Sequence, residues 1–305
     1  MSAAPNANIK AIGLMVFSMI AFGIDDAAIK YAGTIADEGA ATPGEIIIIK
    51  GALGVMVYGA LMVREGTQPT LQLAAAMLID RSIAWRTFGD LISAMSIITA
   101  LTVMPLSNLS AILQVQPLLI TVGAALFLGE RVGWRRWTAI SVGFVGVMII
   151  IRPGMDGFVE GTHWAVMAML GLAIRDLATR AVKPQVSTYA MVAIVAFLLL
   201  PMGVGMHQLM ESEPIMVGIA PEAWVLILGG GVFGMAGYLA ITVSLRIGEI
   251  AAVAPYRYTR LLAALILAYF VFGEVPDIPM AIGASLVIGA GLFTLYRERK
   301  LQTTS

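Results

Sequence analysis

The sequence predicts an all-α integral membrane protein whose ten transmembrane helices form two inverted five-helix repeats. Three observations lead there. Of the 305 residues, 59% are hydrophobic and 12% charged, with a mean hydropathy of +0.89. A soluble domain is about 45–50% apolar and about 25% charged, and a water-exposed fold would have to leave much of this excess on its surface. The apolar residues gather in ten stretches close to the roughly 20 residues that a spanning helix needs. Finally, the charges between those stretches are sharply asymmetric, as loops on the two sides of a membrane are.

In chain order the spans fall at 9–31, 43–62, 86–105, 107–128, 134–151, 162–182, 187–209, 223–245, 250–272 and 277–296. The first runs into Asp25-Asp26 with no small-residue cleavage site, so it reads as a retained helix and not a signal peptide. Charge, Pro and Gly clusters such as Arg64-Glu65-Gly66 and Arg152-Pro153-Gly154 end the spans. The longer connection, 63–85, carries Leu71, Leu73, Met77 and Leu78 at amphipathic spacing and reads as a helix on the membrane surface.

Thirteen Lys and Arg residues, among them Lys10, Arg64, Arg81, Arg86, Arg131, Lys183 and Lys300, fall on one side of this threading. Only Lys30 and Arg152 fall on the other, together with acids such as Asp37, Glu38, Asp156 and Glu213. The bias puts both termini in the cytoplasm, which requires an even number of spans.

Two internal matches divide the chain. Ile24-Asp25-Asp26-Ala27-Ala28-Ile29-Lys30 matches Ile174-Arg175-Asp176-Leu177-Ala178-Thr179-Arg180, and Leu128-Gly129-Glu130-Arg131 matches Phe272-Gly273-Glu274-Val275, at offsets of 150 and 144 residues. The repeats are therefore expected at 1–152 and 153–305. Five spans per copy is an odd number, so the second copy sits upside down, with a substrate site near the midplane between the halves.

Other function classes find little support. Lys plus Arg equals Asp plus Glu at 19 each, which offers no electrostatic attraction to nucleic acid. His163 and His207 are too few and too far apart for a His-based metal site, and the chain has no cysteine. Gly229-Gly230-Gly231, with Gly234 and Gly237, lacks the Lys-Ser/Thr of a phosphate loop and reads as close helix packing. No catalytic set, metal or cofactor is expected.

Several motifs resemble the drug/metabolite transporter superfamily, in particular its bacterial EamA-type ten-helix members, over essentially the whole chain. They are Gln114-Val115-Gln116-Pro117, Leu128-Gly129-Glu130-Arg131 with Gly143 and Gly146, Phe272-Gly273-Glu274, and Ala254-Pro255-Tyr256-Arg257-Tyr258-Thr259-Arg260-Leu261. The resemblance implies secondary transport of a small metabolite, often export, across the bacterial inner membrane without ATP; a ten-helix unit can work alone as a monomer, and small-residue helix faces would suit a homodimer. It also implies a basic residue with a functional place in the second span, here Lys50. Pro117 stands where the family has a helix-breaking proline; in the second copy the proline falls earlier, at Pro255.

Ionisable groups at membrane depth cost at least about 2.5–3.5 kcal/mol each and face a partner or a wet cavity. The candidates for substrate contact are Asp25, Lys50, Asp90, Gln114, Gln116, Tyr256, Arg257, Tyr258 and Arg260; those for gating or coupling are Asp26, Arg175 and Asp176. Arg257 and Arg260, three apart, share a helical face and offer planar forks for carboxylate or phosphate, with tyrosines alongside. Each has a structural alternative. Lys50 could pair with Asp26 or Glu45, Arg260 with Asp90 or Asp176, and Asp26 and Asp176 with the basic residue four positions on. The glutamines before Pro117 either line a polar cavity or bond between helices. Asp26 and Asp176 also suit protonation coupled to transport, and Asp25, which has no counterpart acid, is the better candidate for substrate or proton. Glu130 and Glu274 read as structural or gating residues.

The leading expectation is an alternating-access carrier of a small zwitterionic or anionic metabolite, with export of an amino-acid-like solute in front. Uptake of a vitamin such as riboflavin, or of a nucleoside-like metabolite, is the alternative. A non-transporting scaffold or an intramembrane enzyme is the remote one.

Overall fold

A computed structural model of the chain describes residues 5–34, 39–68, 70–127, 133–154, 159–182, 186–211, 214–247 and 253–302. Among them every regular element is helical: α1 (Pro5–Thr34), α2 (Pro43–Arg64), α3 (Leu71–Ile79), α4 (Arg81–Val103), α5 (Leu106–Leu113), α6 (Gln116–Phe127), α7 (Trp134–Ile151), α8 (Thr162–Ala181), α9 (Thr188–Met210), α10 (Pro221–Ile247), a 3₁₀ turn at Ala254–Tyr258, α11 (Thr259–Phe272) and α12 (Ile278–Gln302). Among the described residues, helix occupies each stretch in which the sequence places a span, and the amphipathic connection becomes α3. Five segments among the described residues are long and apolar enough to cross a membrane: Asn8–Thr34, Pro43–Arg64, Leu106–Phe127, Thr188–Met210 and Pro221–Ser244. Leu128-Gly129-Glu130-Arg131 and the loop charges Asp37, Glu38, Asp156, Lys183 and Glu213 lie outside the described residues.

Local chemistry fixes the helix ends. Thr42 caps α2: its Oγ1 accepts the Glu45 N–H (3.3 Å), while Glu45 Oε2 accepts the Thr42 N–H (2.9 Å), with Pro43 in the first turn. At the start of α12, Asp277 Oδ1 accepts the Met280 N–H at 2.9 Å, and the Asp277 carboxylate also pairs with Arg152, just past α7. Pro105, at the N-cap position of α5, cannot cap it. Glu274 does so from 167 and 168 residues away, accepting the Leu106 and Ser107 N–H groups, both at 3.1 Å, and the Ser107 hydroxyl at 2.9 Å.

The chain forms two compact units, one of residues 1–27, 104–162 and 232–305 and the other of residues 28–103 and 163–231. In the second, α2 packs along α9 and α4 packs beside both. Glycines set the closest approaches. A Cβ on Gly44 would lie 2.9 Å from the Gly203 carbonyl oxygen, and one on Gly203 2.8 Å from that of Gly44. The α4–α8 crossing is tighter still: a Cβ on Gly89 would lie 2.6 Å from both the Gly171 oxygen and the Arg175 nitrogen. Helix α3 closes onto this unit through Met77, which packs with Met62, Ile83, Ala190, Met191 and Ile194.

In the first unit α7 runs along α12, where a Cβ on Gly146 or Gly283 would lie 2.7 or 2.5 Å from the other's carbonyl oxygen. Ala11, Met15 and Met19 of α1 pack with Val253, and the buried Ser244 hydroxyl donates to the Ala11 carbonyl at 2.6 Å. On α11, Leu261, Ala264 and Ala268 are buried, whereas Leu262, Ile266 and Phe270 are exposed at four-residue spacing. That outward apolar stripe suits lipid and not water.

Two outcomes test this packing. Gly89→Ala should lower stability by about 1–3 kcal/mol, because the methyl meets backbone that cannot rotate away. Gly229, expected in close helix packing, meets nothing within 4 Å, so Gly229→Ala should not lower the melting temperature in detergent. At the α7–α12 end, the hydrogen bond from Arg152 holds the Asp277 carboxyl below its ordinary value of 3.8. A carboxyl lowered on folding stabilises above the unfolded pKa and loses that contribution as pH falls through the lower folded value. Asp277→Asn keeps the helix cap and loses the charge. It should cost less than about 1 kcal/mol at neutral pH, the difference from wild type closing as the melting curves are taken below about pH 3.8.

Candidate functional site

Each unit holds its own group of buried polar side chains. In the first unit the centre is Asp26 of α1 and Arg260 of α11. Arg260 donates from Nη2 (2.7 Å) and Nε (3.1 Å) to the same oxygen, Asp26 Oδ2, and its guanidinium lies over the Phe22 ring at 5.3 Å. Phe22 and Asp26 are four apart and share one face of α1, so the pair and the cation–π contact form together. The expected structural partners for Arg260 were Asp90 or Asp176; its carboxylate is Asp26 instead.

Asp25, buried beside this pair, presents its carboxylate to α10 at Gly234. A Cβ there would lie 2.3 Å from Asp25 Oδ2 and 2.8 Å from Cγ. Arg257 and its two tyrosines sit on the 3₁₀ turn, where successive side chains diverge by about 120°. Tyr256 is accordingly exposed, Arg257 half-buried and Tyr258 buried. The Tyr258 ring runs into α12: a Cβ on Gly291 would fall 1.5 Å from its hydroxyl oxygen, so only glycine leaves room for it.

Pro117 breaks the helix as expected. Its ring clashes with the carbonyl four residues back and it has no N–H to give. The break falls at Gln114-Val115, between α5 and α6, where the Gln114 and Val115 N–H groups turn to carbonyls three residues back (3.2 and 3.1 Å). Gln114 is buried, and its Nε2 has no protein partner among the described residues, as is true of Ser110 Oγ one turn earlier. Gln116 is half-buried.

In the second unit, Asp90 of α4 lies between two guanidinium groups, Arg86 Nη1 at 2.9 Å and Arg175 Nη1 at 3.6 Å; Arg175 also holds Asp176, Nη2 to Oδ1, at 2.8 Å. Two arginines and two aspartates make a neutral chain, set at the glycine crossing of α4 and α8. Lys50 is half-buried in α2. Near the start of that helix the buried Glu45 accepts the Met216 N–H (2.8 Å) as well as the Thr42 groups, and Thr42 Oγ1 lies 3.1 Å from His207 Nδ1.

Sequence reasoning treated Arg86 as a loop charge, although its i,i+4 spacing to Asp90 was readable. It passed over the Thr42-Pro43-Gly44-Glu45 capping signature. Gly234 read only as close helix packing, and nothing local linked it to Asp25 or His207 to Thr42.

Because Asp26 is buried, Arg260→Ala should strand its charge and cost about 3–5 kcal/mol, seen as a lower melting temperature and poorer yield. Pairing Asp26→Asn with Arg260→Gln should recover most of that loss.

The model of the EamA-like transporter family matches residues 160–296. The chain is 24% identical over 303 residues to the S-adenosylmethionine uptake transporter of Rickettsia felis, covering 95% of this chain and 93% of that protein. It is 26% identical to the riboflavin transporter of Brucella anthropi, over 95% and 100% of the two chains. To the pseudopaline exporter of Pseudomonas aeruginosa it is 23% identical, over 94% and 96%. A solved crystal structure, 18% identical, superposes over 95% of this chain and 98% of its own with a TM-score of 0.61, a likeness of fold. The chain is thus a multi-pass membrane protein and a small-metabolite transporter, not an enzyme, and over residues 160–296 it is similar to the EamA-like transporter family.

Proposed function

We propose that the protein carries a zwitterionic, amino-acid-like metabolite bearing a nucleoside, with S-adenosylmethionine the first candidate, by alternating access. The observation that carries this reading is the charge arrangement of the first unit. Asp26 and Arg260 neutralise each other, and Asp25 and Arg257 supply an acid for a sulfonium or ammonium group and a guanidinium fork for a carboxylate. The likeness to an S-adenosylmethionine uptake transporter supports the same solute class. Uptake is the direction that likeness favours. Export of an amino-acid-like solute is the second reading, favoured by the likeness to the pseudopaline exporter.

The halves 1–152 and 153–305 are proposed as inverted repeats. Support comes from equivalent helices packing at glycines, α2 with α9 and α7 with α12. The change of helix type at Tyr258-Thr259 also lies 144 residues after Gln114-Val115, the offset of the two Gly-Glu motifs. Gating would fall to the Arg86–Asp90–Arg175–Asp176 chain and proton coupling to the acids of α1. The loop charge bias supports cytoplasmic termini.

Proteoliposomes loaded with the protein should take up radiolabelled S-adenosylmethionine, and Asp25→Asn or Arg257→Ala should lower that uptake at least about tenfold while the protein stays folded. Efflux of the same label from preloaded vesicles, with no uptake, would reverse the direction. No movement either way, with riboflavin carried instead, would overturn the substrate. Because the chain has no cysteine, single-cysteine variants report sidedness cleanly. Thr67→Cys should react with an impermeant maleimide only in opened cells, and Val217→Cys in intact ones.

A further inference from the structure

We propose that Gly234 is a positioning residue for Asp25, holding its carboxylate in place by offering it bare backbone. The proposal rests on the reading of Asp25 as a group that contacts the solute. A Cβ on Gly234 would lie 2.3 Å from Oδ2, 2.8 Å from Cγ and 3.4 Å from Oδ1 of Asp25, so the whole carboxylate lies over the face where a side chain would stand. Asp25 itself is buried, 7% exposed.

A comparison along α10 separates this from ordinary helix packing. Three residues on, a Cβ at Gly237 would come 3.2 Å from Ala21 Cβ and 3.2 Å from the Ser18 carbonyl oxygen. Ala21 and Asp25 are four apart on α1 and Gly237 and Gly234 three apart on α10, so both contacts belong to one antiparallel crossing. The two glycines nevertheless meet different kinds of atom. A methyl at 237 presses on backbone and methyl, which give only if the helices move. A methyl at 234 presses on the tip of a short side chain, which can turn away about its own torsions. Alanine at 234 is therefore compatible with the fold and incompatible with the present place of the carboxylate. A displacement of about 1 Å in a binding group is enough to cost up to about a hundredfold in function.

The experiment uses the full-length protein in detergent, with S-adenosylmethionine as the binding probe and thermal unfolding as a second readout. Gly234→Ala should bind the probe at least about tenfold more weakly than wild type, and Asp25→Asn/Gly234→Ala should bind no more weakly than Asp25→Asn alone. The fall in melting temperature caused by Gly234→Ala should disappear in an Asp25→Ala background, where no carboxylate is left to displace, because coupled sites are not additive. Wild-type affinity in Gly234→Ala, or an equal fall in melting temperature in both backgrounds, would overturn the role of Gly234. If wild type fails to bind S-adenosylmethionine, the substrate reading fails and the melting cycle alone decides whether Gly234 positions Asp25. Gly237→Ala serves as the packing control: its melting temperature should fall equally in both backgrounds.

Discussion

The approach of helix backbones to within a glycine of each other is the constraint on which the rest of this structure depends. Lipid tails are as apolar as leucine, so helices in a bilayer gain little by hiding apolar faces from one another. They associate through close van der Waals contact and polar bonds, and small residues make that possible. At Gly44–Gly203, Gly89–Gly171 and Gly146–Gly283 the carbonyl of one helix lies where the side chain of the other would be. Each crossing fixes a rotation and a depth, and so decides which side chains nearby can meet. Gly89 sits beside the Arg175 backbone, and that is why Asp90, the next residue on α4, reaches the Arg175 guanidinium.

Charge neutrality follows as the second requirement, and it is met inside each unit. Asp26 is satisfied by Arg260, 234 residues away in sequence. The Arg86–Asp90–Arg175–Asp176 chain sums to zero. Arginine is suited to this work because its weakly hydrated fork can place two N–H groups on a single carboxylate oxygen and still lie flat on a ring, as Arg260 does on Phe22. Such pairs add little net stability over apolar packing, but removing one partner is expensive. They therefore persist where a polar interior is needed for another reason, and passage of a small metabolite is such a reason.

What could be read from the sequence follows from the range of the forces involved. The helical stretches were legible because hydropathy is a sum over about twenty neighbours, and α3 because its apolar residues keep a helical spacing. The break before Pro117 was legible because a proline acts within one turn. Partner choice was not. The sequence offers Asp26 a lysine four residues on, and nothing local says that the carboxylate goes to Arg260. Tyr256 and Tyr258 looked like one wall beside Arg257, yet the 3₁₀ turn sends one outwards and buries the other against Gly291. Residue spacing fixes a shared face only when the type of helix is known. Gly234 was indistinguishable in sequence from Gly229, which meets nothing; only the position of α1 separates a glycine that holds a carboxylate from one that merely faces outwards.

The break between α5 and α6 shows how these constraints lead to function. Irregular backbone at membrane depth is tolerated only where protein or a wet cavity covers it. Val115 is fully buried, and Gln114 is 6% exposed, so the break does not face lipid. Its N–H groups are satisfied locally by bonds three residues back, while Gln114 Nε2 and Ser110 Oγ have no protein partner among the described residues. A sequence selected for rigidity alone would place alanine or leucine at both positions, because each buried polar group without a partner costs about 1–3 kcal/mol. Broken, protein-covered helices carrying spare polar groups are how many secondary transporters build their sites. The Ser110 and Gln114 side chains therefore keep the covered break polar at a cost in stability.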